Sequence, residues 1–146
     1  MQAHRPKHTY WIRMIALFVV AFGLLSIKEG GTILFGSEAD RATAGNVVAF
    51  VLWFNFSAGL AYIAAGAGLW WQQRWAAWLA VAIAVSTALV FLAFGMHVVS
   101  GAAYESRTVF AMALRLTLWT AIAVIAWRWM PGSQPKRFWP GAGAAR

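Results

Sequence analysis

Two polar residues lie deep inside long apolar segments of this chain. Arg115 lies in the apolar segment over residues 109–129, and Asn55 in the one over residues 47–71. Since a helix rises 1.5 Å per residue, Arg115 lies about 10 Å from the end of its segment, and Asn55 lies at a similar depth. Ionisable side chains at such depth are costly, about 2.5–3.5 kcal/mol for a central arginine, and they often mark functional sites.

Each deep residue has two interpretations. Arg115 could anchor an anion or substrate or pair with a buried carboxylate, or it could form a structural salt bridge or extend to the membrane surface. Asn55 could contact a ligand, or it could form a structural hydrogen bond to another helix, with Arg115 as the candidate partner. In either case we expect both side chains to point into the protein rather than to lipid.

A second set of polar residues lies at the ends of the apolar segments. An imidazole and two carboxylates are a competent ligand set for a divalent metal such as zinc or manganese. We therefore predict a metal site formed by His97, Glu29 and Glu105. The alternatives are a protonated His97 held between the carboxylates, and separate contacts of each group with water or lipid headgroups. The members of this polar cluster are Lys28, Glu29, His97, Tyr104, Glu105 and Arg107.

The sequence lacks the motifs of other common kinds of site. The chain has no cysteine, which excludes disulfides, thiolate metal sites and cysteine nucleophiles. His4 and His8 precede the first apolar segment on the inner side, and His97 lies at the outer edge, so no two histidines are placed to ligate a haem inside the bilayer. No serine has a histidine and an acid at triad spacing, and no glycine-rich phosphate loop occurs. We therefore assign no catalytic residue, lean against an enzyme, and imply no cofactor beyond a divalent metal.

Four apolar segments must position these side chains. They cover about residues 11–27, 47–71, 75–99 and 109–129, and none contains a proline. A transmembrane helix needs about 20 apolar residues. At 62% hydrophobic and 11% charged residues, the 146-residue chain is too apolar for a water-soluble domain. We predict an all-α, integral membrane four-helix bundle, up-down-up-down antiparallel, over residues 1–130, with a basic, disordered cytoplasmic tail over residues 131–146.

The charges predict an orientation. With the N-terminus inside, eight of the 12 lysines and arginines lie on the inner side, and all four acids lie on the outer side. This distribution favours cytoplasmic N- and C-termini in a plasma or bacterial inner membrane. The net charge of +8 is concentrated at the ends of apolar segments, so we expect it to meet lipid headgroups rather than nucleic acid.

The function that fits these features best is a non-catalytic accessory or binding module with a polar site on its outer face. One alternative is a small oligomeric transporter of an ion, metal or small solute, with Asn55 and Arg115 lining its path. Another is a membrane redox or metal-handling protein. As partners we expect the lipid bilayer and either further copies of the chain or the other subunits of a membrane complex.

Overall fold

The computed structural model describes residues 7–129, which contain five helices. Four of them are long and apolar enough to cross a membrane. The fold prediction of an all-α, antiparallel four-helix membrane bundle is confirmed. The tail predicted over residues 131–146 lies outside the described residues. The helices are α1 (Lys7–Phe35), α2 (Glu38–Ala44), α3 (Ala49–Trp70), α4 (Arg74–Val99) and α5 (Ser106–Trp129).

The first helix is longer than the apolar segment that predicted it. We expected it to end near Ile27, but α1 continues to Phe35, about two turns further. The glycines beyond Ile27 do not end the helix, because Gly30 lies against α3: a Cβ there would lie 3.1 Å from Cβ of Phe56. Phe35 then closes the contact, with its ring 5.7 Å from that of Phe56. Glu29 therefore lies inside α1 and not at its end.

Helices α1 and α3 are antiparallel and touch through their backbones. A Cβ added at Gly23 would lie 2.8 Å from the carbonyl oxygen of Gly59, and one added at Gly66 would lie 3.0 Å from the carbonyl oxygen of Ala16. Such distances leave no room for a side chain, so glycine is required for this approach. Gly59 and Gly66 of α3 thus allow the close contact between the two helices.

The core has two parts that lie at different heights of the bundle. The larger part is centred on Tyr62 and Trp119, both fully buried, with ring centroids 4.7 Å apart. It continues through small side chains toward the turn that joins α3 to α4, which we call the turn end. The smaller part lies near α2, at what we call the α2 end. It consists of Val48, Val51, Phe94 and Met112.

Candidate functional site

A groove of about 540 Å³ opens at the α2 end of the bundle. Residues of α1, α3 and α5 form its sides, and α2 and the residues that follow it form its roof. Most of the polar residues singled out from the sequence line it, including Asn55 and Arg115. The lining residues are Ser26, Lys28, Glu29, Gly30, Thr32, Ile33, Asp40, Thr43, Ala44, Val47, Val48, Val51, Leu52, Asn55, Arg107, Thr108, Ala111 and Arg115.

Arg115 is half-buried on the floor of this groove. Its Nε is buried without a hydrogen-bond partner, and no carboxylate of the described chain pairs with its guanidinium. The guanidinium carbon lies 5.6 Å from the centroid of the Phe22 ring. That cation–π contact is worth about 0.5–2 kcal/mol but satisfies none of the N–H donors. Arg115 therefore presents an unneutralised positive charge to the groove.

Asn55 and Ser26 complete the polar floor. Asn55 Oδ1 is buried and has no hydrogen-bond partner among residues 7–129. The hydrogen bond expected between Asn55 and Arg115 is therefore not formed, although both side chains line one groove. Ser26 is only 4% exposed and also faces the groove. Ser26 was not singled out from the sequence, because its neighbours become evident only once α1 and α3 are paired.

More unpaired polar groups lie below the floor. The Tyr62 hydroxyl lies close to the polar atoms of Trp119, Thr87 and Arg115. None of these contacts meets hydrogen-bond geometry, so Tyr62 Oη, Thr87 Oγ1 and Trp119 Nε1 are buried without a partner within the described chain. Buried polar groups are usually hydrogen-bonded. The polar character of the groove thus extends toward the middle of the bundle.

The roof, α2, is a locally encoded helix. Asp40 accepts hydrogen bonds of 2.8 Å from both the backbone N–H and the hydroxyl of Ser37, and the Ser37 hydroxyl accepts one from the N–H of Asp40. These bonds form a capping box, and they hold the pKa of Asp40 below its ordinary value. Helix α2 was not predicted from the sequence, although the Ser37 to Asp40 spacing is the usual signal for such a helix start.

Arginine side chains attach α2 to its neighbours. Arg41 donates to the carbonyl oxygens of Ile33 and Leu34 at 3.3 and 3.2 Å, near the end of α1. Arg107, at the start of α5, donates to the carbonyl oxygens of Thr43 and Ala44. Both arginines thus satisfy carbonyls that a helix leaves free at its C-terminus. The roof is consequently fixed to α1 on one side and to α5 on the other.

Glu105 also holds the connection between α2 and α3. Its Oε1 accepts a hydrogen bond of 2.9 Å from the backbone N–H of Asn46. Next to it, Gly45 has a φ of 73°, and a Cβ at that position would meet the Glu105 carboxylate. The role of Glu105 is therefore attachment of the roof.

The structure does not bring the predicted metal ligands together. Glu29 lines the groove from inside α1, Glu105 binds the connection after α2, and the His97 ring packs edge-on against Phe50 at 6.2 Å. Tyr104 packs against Phe94. No three histidine or acidic side chains within residues 7–129 lie close enough to hold a metal ion. The reason is the length of α1, which moves Glu29 about two turns away from the helix end.

Comparisons of the chain with protein-family models, with curated proteins and with solved structures find no match. What is established is a small multi-pass membrane protein whose bundle holds a groove with a polar floor.

Proposed function

We propose that this protein is a non-catalytic, membrane-embedded binding module that holds a small molecule with an anionic group in its groove. The observation that carries the proposal is Arg115, a groove-lining arginine with no acidic partner in the described chain. A guanidinium inside a membrane needs a counter-charge to offset its desolvation. An anionic ligand would supply that charge through charge-assisted hydrogen bonds, which are about twice as strong as neutral ones.

The packing below the groove supports binding over transport. Toward the turn end the core consists of tightly packed apolar side chains, many of them alanines whose small size lets the helices approach closely. A solute path would have to separate these contacts. The buried residues at this level include Ile12, Ala16, Ala65, Leu69, Ala76, Ala80 and Ala126.

Transport is the second candidate, and one observation favours it. The unpaired polar atoms of Tyr62, Thr87 and Trp119 continue below Arg115 into the centre of the bundle. They would give a solute its next polar contacts if the helices separated. The two candidates therefore differ in whether the groove ever becomes accessible from the turn end.

Orientation and partners are part of the proposal. The predominance of lysine and arginine on one side and the placement of all four acids on the other support cytoplasmic termini and a groove that opens outward. We place the protein in a plasma or bacterial inner membrane. We also propose that it works as a homo-oligomer or as a subunit of a membrane complex, where the groove would be its contribution to the assembly.

Thiol labelling tests the proposal, because the chain has no cysteine of its own. A single Asn55→Cys variant in sealed vesicles is treated with membrane-impermeant thiosulfonates, one anionic and one cationic, from each side. We expect reaction only from the outer side and a faster reaction with the anionic reagent. At an effective dielectric constant of about 20, a unit charge in the same groove attracts the anionic reagent and repels the cationic one by at least about 1.4 kcal/mol each, so the rates should differ by at least about tenfold.

Controls make the result specific. Adding Arg115→Gln should remove the preference for the anionic reagent. The ratio of the two rates cancels any change in the reactivity of the thiol itself. A Leu69→Cys variant, buried near the turn end, should not react from the outer side. Equal rates with both reagents while Arg115 is present would reject anion binding, and labelling of Asn55→Cys from both sides would favour the transporter.

A further inference from the structure

We propose that the ligand of this groove is a singly charged amphiphile, a monocarboxylate whose carboxylate meets Arg115 and whose apolar chain or ring extends about 10 Å toward the roof. This inference rests on the proposed function and adds the chemical class of the ligand. Three features of the groove support it: its polarity along its depth, its net charge and its dimensions.

The first feature is a polar floor with an apolar wall above it on the side of α3. Above Asn55, α3 and the residue that caps its start place Val48, Val51 and Leu52 on the groove, at the three- and four-residue spacing of one helix face. Ala111 faces them from α5, one turn above Arg115. From α1, Ile33 adds an apolar side chain beside the polar Lys28, Glu29 and Thr32. A ligand whose charged group reaches the floor can therefore place its apolar atoms along this wall, a contact that an inorganic anion does not use.

The second feature is charge. The ionisable groove residues are three cations, Lys28, Arg107 and Arg115, and two acids, Glu29 and Asp40, which leaves one net positive charge. Asp40 is bound by Ser37, and Arg107 is bound to the roof carbonyls. Lys28 is exposed, so Arg115 is the half-buried cation left on the floor. One net charge matches a monoanion, and Glu29 disfavours a dianion. The planar guanidinium also matches a carboxylate, which it can bind through two parallel hydrogen bonds.

The third feature is size. The groove wall extends from Thr108 to Arg115 on α5, and from Val48, the residue before α3, to Asn55. Each pair is separated by about seven residues, which gives a depth of about 10 Å on both helices. The volume of about 540 Å³ lies within the range of about 300–1,000 Å³ typical of small-molecule sites. A chain of about eight carbons fills this depth.

Binding of defined acids to the full chain in phosphatidylcholine nanodiscs tests the inference. Equilibrium dialysis measures octanoate, butyrate, octanol and octylammonium, with empty nanodiscs subtracted. We expect saturable binding of octanoate. Because each buried methylene is worth about fourfold in affinity, octanoate should bind at least about tenfold more tightly than butyrate. Octanol and octylammonium should show no saturable binding, and saturable binding of octanol equal to that of octanoate would overturn the role of the carboxylate.

Two further ligands distinguish the source of the acid. Hexadecanoate represents an acid released from membrane lipid, and benzoate represents a water-soluble acid with a compact apolar ring. Displacement of octanoate by hexadecanoate at lower concentration than by benzoate would indicate a lipid-derived ligand whose chain leaves the groove. The reverse order would indicate a soluble acid. Failure of both to displace octanoate would overturn the inference, because a shared carboxylate site must accept at least one of them.

Variants separate this inference from the proposed function. Ala111→Leu narrows the wall and should weaken octanoate binding at least about fivefold while butyrate binding is unchanged. Arg115→Gln should weaken both acids more than tenfold, and Arg115→Lys, which keeps the charge but not the planar fork, should have an intermediate effect. Arg74→Gln, an exposed arginine at the turn end outside the groove, should bind like the wild type.

Different results would overturn the amphiphile proposal and the anion-binding proposal. Equal affinity for butyrate and octanoate, with both still dependent on Arg115, would overturn the amphiphile and leave anion binding standing. Absence of Arg115-dependent binding of any acid would overturn both. Thermal unfolding of each variant in the same nanodiscs identifies a loss of binding that comes from misfolding. Should Arg115→Gln misfold, Arg115→Lys and Ala111→Leu still decide the two questions.

Discussion

Replacing Gly23 by alanine should destabilise the bundle by about 1–2 kcal/mol. The new Cβ would lie 2.8 Å from the carbonyl oxygen of Gly59, 3.0 Å from Cγ1 of Ile63 and 3.1 Å from Cβ of Tyr62. The nearest of these atoms belongs to the backbone of α3 and cannot rotate aside. The two helices would have to separate by several tenths of an ångström along their whole contact.

The magnitude follows from two opposing terms. Overpacking of a well-packed interface costs about 1–3 kcal/mol, and a backbone clash belongs in the upper part of that range. Alanine is a better helix former than glycine by about 1 kcal/mol, which offsets part of the loss. The net destabilisation is therefore about 1–2 kcal/mol, measurable as a shift in the midpoint of SDS-induced unfolding followed by far-ultraviolet circular dichroism.

Gly95 in α4 provides the matched control. A Cβ there meets no atom within 4 Å, so Gly95→Ala gains helix propensity without a clash and should stabilise the bundle by about 0.5–1 kcal/mol. The two substitutions are chemically identical and differ only in their surroundings. If Gly23→Ala and Gly95→Ala unfold within about 0.5 kcal/mol of each other, the backbone contact between α1 and α3 is wrong.

Three further predictions address orientation, the cap of α2 and its attachment. Reporter proteins fused after Arg146 and ahead of Trp11 should both report the cytoplasm, and a C-terminal reporter active only outside would overturn the orientation. The hydrogen bonds from Ser37 lower the pKa of Asp40 from 3.8, so the cap stabilises α2 fully above that pH and is lost as the pH falls below it. The protection factors of the α2 amides, which compare each exchange rate with that of an unfolded chain at the same pH, should fall there, and unchanged protection factors would contradict the cap. Glu105→Ala should speed amide exchange at the connection between α2 and α3 about fivefold, equivalent to about 1 kcal/mol, whereas protection equal to the wild type would show that the carboxylate does not hold the roof.

Hydropathy predicted the bounds of α3 and α4 well and the end of α1 poorly. The segments predicted over residues 47–71 and 75–99 agree within two residues with α3 and α4, because an apolar run ends where the chain leaves the membrane. In α1 the apolar run is interrupted by Lys28 and Glu29. These two residues line the groove and do not mark the end of the helix. A charged residue that lines a polar groove has the same local sequence signature as one at a membrane surface.

The sequence predicted the site residues that lie deep within apolar helices. Arg115 and Asn55 were singled out because polar side chains deep in apolar helices are unusual, and the structure places both on the groove. The partners of each residue were not predictable. Contacts between α1 and α3 depend on the register set by Gly23 and Gly59, and apolarity alone does not encode register. For the same reason the clustering of His97 with the acids, expected from their neighbouring loops, did not occur.

The glycine contact and the groove result from one packing arrangement. Because α1 and α3 touch through their backbones, α5 has to cover the side of that pair with its own side chains. Its core face carries large residues, Met112 and Trp119, both fully buried, and these fill the bundle. The face that turns to α1 carries Thr108, Ala111 and Arg115, which are too small or too polar to fill the space. A groove is therefore left beside a tightly packed core, and its floor carries the cation that the protein itself leaves unpaired.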